Sequence, residues 1–153
     1  MNGDSSLLAL IKPLKFTLWN YSQLFRSVQQ EDIAASEHVP AIDYAMFVSE
    51  QDEAEYQVSL TVKYSAAAAD CIIEIMLGIS SFFKFPTDLE SDKIDEFLHG
   101  NCLPITYSFC RGLVANMTGI SPVGPILLPS INFRELEKRK TLEELKALQD
   151  QSE

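Results

Sequence analysis

The side chains best suited to acid–base or metal chemistry at neutral pH are two histidines, His38 and His99. His99 precedes Cys102 by three residues, which would put both on one side of a helix, but two ligands are too few for a metal site. Acidic residues such as Asp52 and Glu53 are typical of a solvated turn. The sequence has no nucleophile-elbow, P-loop or dinucleotide-binding glycine motif. We therefore expect binding rather than catalysis, with no cofactor and no metal.

Three cysteines, Cys71, Cys102 and Cys110, form an odd set without CxxC spacing. This pattern does not favour a disulfide framework and predicts small buried thiols in a reducing compartment. The N-terminal segment has no basic residue before its short apolar run, and no apolar stretch reaches the ~18 residues of a membrane span. The sequence therefore predicts a cytoplasmic protein without membrane insertion.

Composition narrows the classes of partner. Hydrophobic residues make up 46% of the 153 residues, which is enough for a core within one domain. The 22 acidic and 12 basic residues give a formal net charge of -10. Because this charge repels the phosphates of nucleic acids and anionic lipids, we expect neither as a partner.

Four segments in the first half have the alternating pattern of strands. They are residues 14–25, 41–50, 56–64 and 71–85. Alternation is clearest in the third segment, whose inward side chains are predicted to be those of Tyr56, Val58, Leu60, Val62 and Tyr64. Apolar residues on both faces of the first segment suggest a bulge, and Gly78 in the fourth suggests a bulge or a close backbone approach. The alanine-rich residues 65–70 are interpreted as a connection.

The second half changes to helical periodicity. Ser91 and Asp92 are candidate N-caps, and Pro104 is expected to start or kink a helix. Apolar residues at four-residue spacing then predict a buried, broadly apolar helix, with a stripe formed by Ile105, Phe109, Leu113 and Met117 and flanked by Tyr107, Cys110 and Val114. An extended apolar segment leads to a charged helix from residue 134, whose leucines are expected to pack lightly on the body. The alternative is that this helix is a mobile flap over an apolar groove. Strands followed by helices indicate an α+β domain with a four-stranded antiparallel sheet.

The first and fourth strand segments carry apolar side chains on both faces, and one main helix cannot cover both faces of a sheet. Such an excess of apolar surface indicates contact with other protein chains. Two interpretations stay open together. The surface is an interface between identical subunits, or it is a groove that accepts extended apolar segments of other polypeptides.

The stretch 104–133, PITYSFCRGLVANMTGISPVGPILLPSINF, resembles the characteristic region of the SecB export chaperones. A helix start in that family is matched by Tyr107, Phe109 and Arg111. An extended LxPxNF-like segment is matched by Leu128, Ile131, Asn132 and Phe133, with Ser130 in place of a second proline. The resemblance covers residues 14–140. It leaves 1–13 as a loosely ordered segment and 141–153 as the end of the last helix and the tail.

The resemblance implies a SecB-like homotetramer, a dimer of dimers with its long helices between the dimers, that holds unfolded polypeptide in apolar grooves. By position it implies client-binding residues on the sheet and near the last helix, namely Ile42, Tyr44, Ile73, Ile75, Leu77, Phe133 and Leu136. It also implies oligomer contacts at Trp19, Tyr107, Phe109 and Arg111.

Members of this family that bind the export ATPase SecA carry acidic residues on the outer face of the sheet. Two of these partner-binding positions are Ser22 and Arg26 here, while Glu74 retains part of the acidic surface. This departure argues against SecA as a partner. The lineage also includes SecB-like chaperones that serve one client, such as an antitoxin. The alternatives are therefore a general holdase, a client-dedicated holdase, an oligomeric interaction protein without chaperone activity, and a small α+β enzyme or ligand-binding protein.

Overall fold

A computed structural model describes residues 11–26, 40–49, 54–68, 71–121 and 124–152, and of residues 26, 66–68, 71 and 72 it describes the backbone alone. The strands in these ranges are β1 (Lys12–Arg26), β2 (Ala41–Val48), β3 (Glu55–Ala68) and β4 (Cys71–Lys84). They form an antiparallel sheet in the order β1-β4-β3-β2, which is a Greek-key arrangement. The helices follow the sheet in the chain, so the predicted α+β class is confirmed.

One face of the sheet forms the core. The alternation predicted for β3 is confirmed, because its inward residues are buried from Val58 to Tyr64. On β4, the inward residues from Ile73 to Phe83 are buried as well. β3 continues to Ala68, so the expected connection at the alanines is wrong. The backbone pairs with β4 as far as Ala68↔Cys71, so this segment is extended.

β1 is irregular in two places, because its pairing with β4 shifts by one residue at Leu14 and again at Trp19. The predicted bulge is therefore confirmed. The Trp19 ring lies over Gly78 on the outer face of the sheet, and a Cβ atom at Gly78 would come 2.3 Å from that ring. The glycine is thus required by a close approach, as one of the two interpretations of the sequence predicts.

The helical half begins with α1 (Ser91–Phe97), which continues through a π-helical turn (Leu98–Cys102) into α2 (Leu103–Thr118). Pro104 lies in the first turn of α2, as predicted. Its missing N–H group and its ring are accommodated there, because the preceding turn is wider than an α-helical turn.

The predicted N-caps of α1 are wrong. The N-cap position is Glu90, which makes no side-chain cap hydrogen bond, while Ser91 and Asp92 lie in the first turn. Asp92 still suits this position, because a carboxylate in the first turn interacts favourably with the helix dipole.

α2 packs on the sheet through the side that flanks the predicted stripe, and the predicted burial of Tyr107, Cys110 and Val114 is confirmed. The buried residues of α2 are Leu103, Thr106, Tyr107, Cys110, Val114 and Thr118. Within the stripe, Leu113 is half-buried and packs on the core, whereas Ile105, Phe109 and Met117 are 48%, 46% and 43% exposed. Because α2 is apolar on two sides, its spacing alone could not identify the side that meets the sheet.

Two buried hydroxyl groups join α2 to the sheet. Thr106 Oγ1 donates to the Cys102 carbonyl oxygen at 2.7 Å, and it lies 2.6 Å from Ser81 Oγ on β4. Since the Thr106 proton is already used, the Ser81 hydroxyl donates to Thr106. This pair fixes the position of α2 on the sheet.

The last helix is α3 (Phe133–Gln151), and Asn132 is its N-cap. The Asn132 side-chain oxygen accepts hydrogen bonds from the backbone N–H groups of Arg134 and Glu135. Phe133 is buried and Leu136 is half-buried, whereas the later leucines Leu142, Leu145 and Leu148 are exposed. The expected packing of these later leucines on the body is therefore wrong for the single chain, because every residue from 141 to 152 is exposed.

Candidate functional site

An aromatic cluster lies where α3 meets β2. The Phe133 ring makes edge-to-face contacts with Tyr44, at 6.5 Å between centroids, and with Tyr107, at 5.6 Å. Tyr44 also meets the His99 ring edge-to-face at 6.0 Å. Partial burial, followed by the charge of Glu137, raises the pKa of Tyr44. These rings hold the start of α3 against the inner face of β2.

Two side chains of α2 hold the extended segment that leads into α3. Tyr107 Oη donates to the Pro129 carbonyl oxygen at 2.6 Å, and Arg111 Nε donates to the Leu128 carbonyl oxygen at 2.8 Å. Burial raises the pKa of Tyr107 to about 12, so its hydroxyl stays protonated and remains a donor at neutral pH. The start of α3 is thereby fixed relative to α2.

Polar contacts on two sides of Tyr44 tie α3 to the body. Lys140 Nζ lies 2.9 Å from Asp43 Oδ1 and 3.9 Å from the centroid of the Tyr44 ring. Glu137 Oε1 lies 3.6 Å from His99 Nε2. The hydrogen bond from Lys140, together with its charge, lowers the pKa of Asp43. The carboxylates of Asp43 and Glu137 are open to solvent, so these contacts compete with water and hold α3 weakly.

Cavities open beside the first turns of α3. One of about 190 Å³ is lined by the apolar side chains of Ile42, Ile131 and Leu136, together with polar residues of α3. Another of about 520 Å³ includes Phe133 and His99 in its lining. We define the α3 groove as the surface formed by Ile42, Tyr44, Ile131, Phe133 and Leu136. Its chemistry is that of an apolar binding surface with a charged rim.

Comparison with protein families identifies the chain. The family model of the preprotein translocase subunit SecB matches residues 19–144. The chain belongs to the SecB family. The function implied by the sequence resemblance, that of a molecular chaperone, is thereby confirmed at the level of the family.

A solved structure confirms the SecB-like fold. It is the SecB-like chaperone Rv1957 of Mycobacterium tuberculosis in complex with a ChAD peptide from the antitoxin HigA1, with a TM-score of 0.66 at 11% identity over 83% of this chain and 95% of that chain. A protein of unknown function from Streptococcus agalactiae has a TM-score of 0.42 at 11% identity over 79% of this chain and 97% of that chain. Comparison with curated protein sequences gave no match.

The client-binding residues implied by the SecB resemblance fall into two groups. Four of them meet at the α3 groove, namely Ile42, Tyr44, Phe133 and Leu136. Ile73, Ile75 and Leu77 lie on β4, two strand spacings or ~10 Å from β2, and are buried in the core. Client contact stays a prediction for both groups, and for the second group it requires the core to open.

The predicted partner-binding residues lie on the outer face of the sheet. Ser22 pairs with Met76, and Glu74 pairs with Leu24, so both share the parity that points away from the core. Arg26 has the same parity, but its side chain lies outside the described part of the chain. Their place on the outer face does not test the predicted binding of a partner, which stays a prediction.

The predicted oligomer contacts also fall into two groups. Trp19 is 52% exposed, and Phe109 is exposed on one side while its ring stacks on Phe16 at 4.7 Å. Tyr107 and Arg111 contact the extended segment of their own chain, as described above. Their place in an interface stays a prediction.

Sequence reasoning missed the rim of the groove. The donor atoms of Asp95, His99 and Glu137 lie within 4.8 Å of one another, as the ligands of a metal ion would. However, His99 Nδ1 faces Asp95 at 3.3 Å while Nε2 faces Glu137 at 3.6 Å, so the carboxylates flank opposite ring nitrogens. This arrangement suits hydrogen bonding by the ring better than coordination of one ion. The four-residue spacing of Asp95 and His99 was a detectable signal, whereas Glu137 comes from another helix.

None of the helices in the described ranges has the length and hydropathy of a membrane span.

Proposed function

We propose that this SecB-family chaperone is a cytoplasmic holdase that binds extended apolar segments of unfolded polypeptide in the α3 groove. The observation that carries this proposal is the set of half-buried side chains Ile42, Tyr44 and Leu136 beside the open cavity. Each would lose further apolar surface to water on contact with a client, which stabilises a complex by roughly 25 cal/mol per Å². Small apolar contacts of this kind discriminate little between sequences, as a holdase requires.

The weak attachment of α3 supports the same function. Its buried anchor is Phe133, whereas its polar contacts further along are the pairs of Glu137 with His99 and Lys140 with Asp43, whose carboxylates are open to solvent. Such pairs contribute little each, so α3 can move at its far end while Phe133 holds its start. A cover that moves in this way lets a groove accept clients of different bulk.

An aggregation assay tests the proposal. We expect the wild-type protein to suppress light scattering by a chemically unfolded client protein, and Tyr44→Asp to lose most of this effect. The matched control is Ala45→Asp, which puts the same charge on the outer face of β2. A folded wild-type protein that leaves aggregation unchanged would refute the holdase function. An equal loss in Ala45→Asp would refute the location of the groove.

We also propose a homo-oligomer, built as a tetramer from two dimers. The exposed stripe Ile105, Phe109 and Met117 on α2 supports this, because an apolar helix face of this size is rarely left to water. Besides Phe109 on α2, Trp19 on β1 is also an exposed aromatic residue. Phe109→Glu is expected to lower the mass measured by light scattering, while a wild-type monomer at micromolar concentration would contradict the proposal.

The identity of the client separates two forms of this function. Ser22 and Arg26 in place of acidic residues support a role that does not depend on SecA. A client-dedicated chaperone is the second candidate, since the solved structure of similar fold from Mycobacterium tuberculosis holds an antitoxin peptide. A general holdase suppresses aggregation of unrelated clients with similar efficiency, whereas a dedicated one protects its own client alone.

A further inference from the structure

His99 lies between two helices, and each nitrogen of its ring is beside a different carboxylate. It belongs to the π-helical turn after α1, and its side chain is 14% exposed. Nδ1 lies 3.0 Å from the backbone carbonyl oxygen of Asp95 and 3.3 Å from the carboxylate of the same residue. Nε2 lies 3.6 Å from Oε1 of Glu137 on α3. The ring is therefore the contact between the π-helical turn and the helix that borders the α3 groove.

These contacts determine which nitrogen carries the hydrogen in the neutral ring. A carbonyl oxygen accepts hydrogen bonds and cannot donate them, so Nδ1 is the donor to Asp95. The neutral ring then has its lone pair on Nε2, which faces Glu137. Because a lone pair and a carboxylate oxygen are both acceptors, the neutral ring does not attract α3.

A second proton reverses the sign of this contact. Histidine is the side chain whose charge ordinarily changes between pH 5 and 8. Since Nδ1 already carries a hydrogen, the proton binds at Nε2 and forms a charge-assisted hydrogen bond to the Glu137 carboxylate. The attraction between the π-helical turn and α3 is thus present at low pH and is lost as the pH rises.

The other charged and titratable groups around the ring come from three elements. They are Asp95 and Glu96 on α1, Arg134, Glu137 and Lys138 on α3, and Tyr44 on β2. The carboxylates favour the charged ring and the two cations oppose it. Burial raises the pKa of Tyr44, so its phenol stays neutral below pH 8. Among the described residues that line the two cavities beside the ring, His99 is the only histidine.

We propose that His99 is a proton-operated latch on α3, which ties the helix over the α3 groove at low pH and releases it at higher pH. This inference rests on the proposed holdase function and adds a regulation of the same site. Glu137 lies one turn beyond the buried Phe133, where the polar contacts of α3 begin. A tie at this point restricts the movement that admits a client. The apparent affinity for a client then falls with the fraction of protein in the open form.

Client binding at two pH values tests the latch. The probe is a fluorescent, end-capped peptide of leucine, valine, threonine and glutamine with a neutral fluorophore, so that only the chaperone changes its charge. We expect the wild-type protein to bind this peptide roughly two- to fivefold more weakly at about pH 5.5 than at about pH 8, as one ion pair with an exposed carboxylate allows. His99→Gln and Glu137→Gln should each bind it with nearly equal affinity at both pH values.

Two further variants are matched controls. Glu143→Gln removes a carboxylate from the exposed half of α3, and His38→Gln removes the other histidine of the chain, which lies outside the described residues. Both should keep the wild-type pH dependence. After correction for intrinsic rates, hydrogen exchange of residues 136–140 in the wild type should be slower at the lower pH. This difference should vanish in His99→Gln.

Three results would overturn the latch while leaving the holdase function in place. They are equal wild-type affinities at the two pH values, a pH dependence that persists in Glu137→Gln, and a pH dependence that disappears in His38→Gln. Imidazole nitrogen NMR that places the hydrogen of the neutral His99 ring on Nε2 would contradict the mechanism as well. A folded wild-type protein that binds the peptide at neither pH would contradict the holdase function itself.

Discussion

Lys140 of α3 reaches back to β2, where its ammonium group lies 3.9 Å from the centroid of the Tyr44 ring. The same group is 2.9 Å from the Asp43 carboxylate, so one side chain ties the last helix to the edge strand. Both partners belong to the region in which we expect clients to bind. The strength of this tie should therefore control access to the α3 groove.

Lys140→Met is expected to loosen the first turns of α3 without unfolding the protein. An exposed ion pair contributes ~0.2–1 kcal/mol, so the melting temperature should change little. Backbone hydrogen exchange of residues 136–140 should become faster, and an unfolded client should bind at a higher rate. Lys146→Met on the exposed half of the helix is the matched control. Unchanged exchange rates would show that Lys140 does not hold the helix.

The pKa of Asp43 gives a second measure of the same contact. The hydrogen bond and charge of Lys140 lower this pKa in the folded state. A carboxyl group with a lowered folded-state pKa contributes stability above its ordinary pKa, and that contribution is lost as the pH falls through the lowered value. NMR titration should show a low Asp43 pKa in the wild type and a return towards the ordinary value in Lys140→Met. Equal pKa values in the two proteins would contradict the contact.

Gly78→Ala is expected to destabilise the sheet by ~1–3 kcal/mol, because the new Cβ atom would meet the Trp19 ring at 2.3 Å. Trp19 is half-exposed and can swing aside, so the double variant with Trp19→Ala should recover most of the loss. Gly100→Ala is the control, since its Cβ would meet only the end of the Arg134 side chain at 3.4 Å. Urea denaturation at constant protein concentration measures these differences. Additive effects of Gly78→Ala and Trp19→Ala would rule out the close approach as the cause.

The sheet was predictable from the sequence because its period leaves little choice. The residues that alternate from Val58 to Tyr64 can turn only one face to the core, since a shift by one residue would expose all of them. Gly78 was also recognised from the sequence, because it is a residue with no side chain within an otherwise apolar strand.

The helices and the groove were predictable only in part. α2 is apolar on two sides, so burial was predicted correctly for Tyr107, Cys110 and Val114 but wrongly for Ile105 and Phe109 in the single chain. Ile42 and Tyr44 were implied as groove residues by the SecB resemblance, but Lys140 is 97 residues from Asp43 in the chain. No local sequence pattern predicts such a pair, because the contact depends on where α3 packs relative to β2.

Thr106→Val is expected to destabilise the protein by about 1–3 kcal/mol, since it keeps the side-chain shape but leaves the buried Ser81 hydroxyl without an acceptor. Ser81→Ala in the same background removes the orphaned group, so the double variant should lose less than the sum of the two single losses. A complete urea-denaturation cycle of the four proteins measures this coupling. A coupling energy of zero would mean that the two hydroxyl groups do not interact.

Alkaline pH should reveal the two buried thiols. Burial raises the pKa of Cys102 and of Cys110 from 9.0 to about 12, so both stay neutral in the folded chain while the unfolded chain ionises earlier. Between about pH 9 and 12 the unfolded state therefore binds fewer protons, and stability falls as the pH rises. Below pH 9 the thiols contribute no such slope.

Replacing both thiols separates their contribution from that of other alkaline groups. In a Cys102→Ala/Cys110→Ala variant, the loss of stability between pH 9 and 10.5 should be smaller than in the wild type, even though the cavities lower stability at every pH. Iodoacetamide at pH 8 should label Cys102 and Cys110 in urea but not in the native protein, because the reactive thiolate needs both ionisation and access. Rapid labelling of either residue in the native protein would mean that α2 leaves the sheet far more often than its buried face implies.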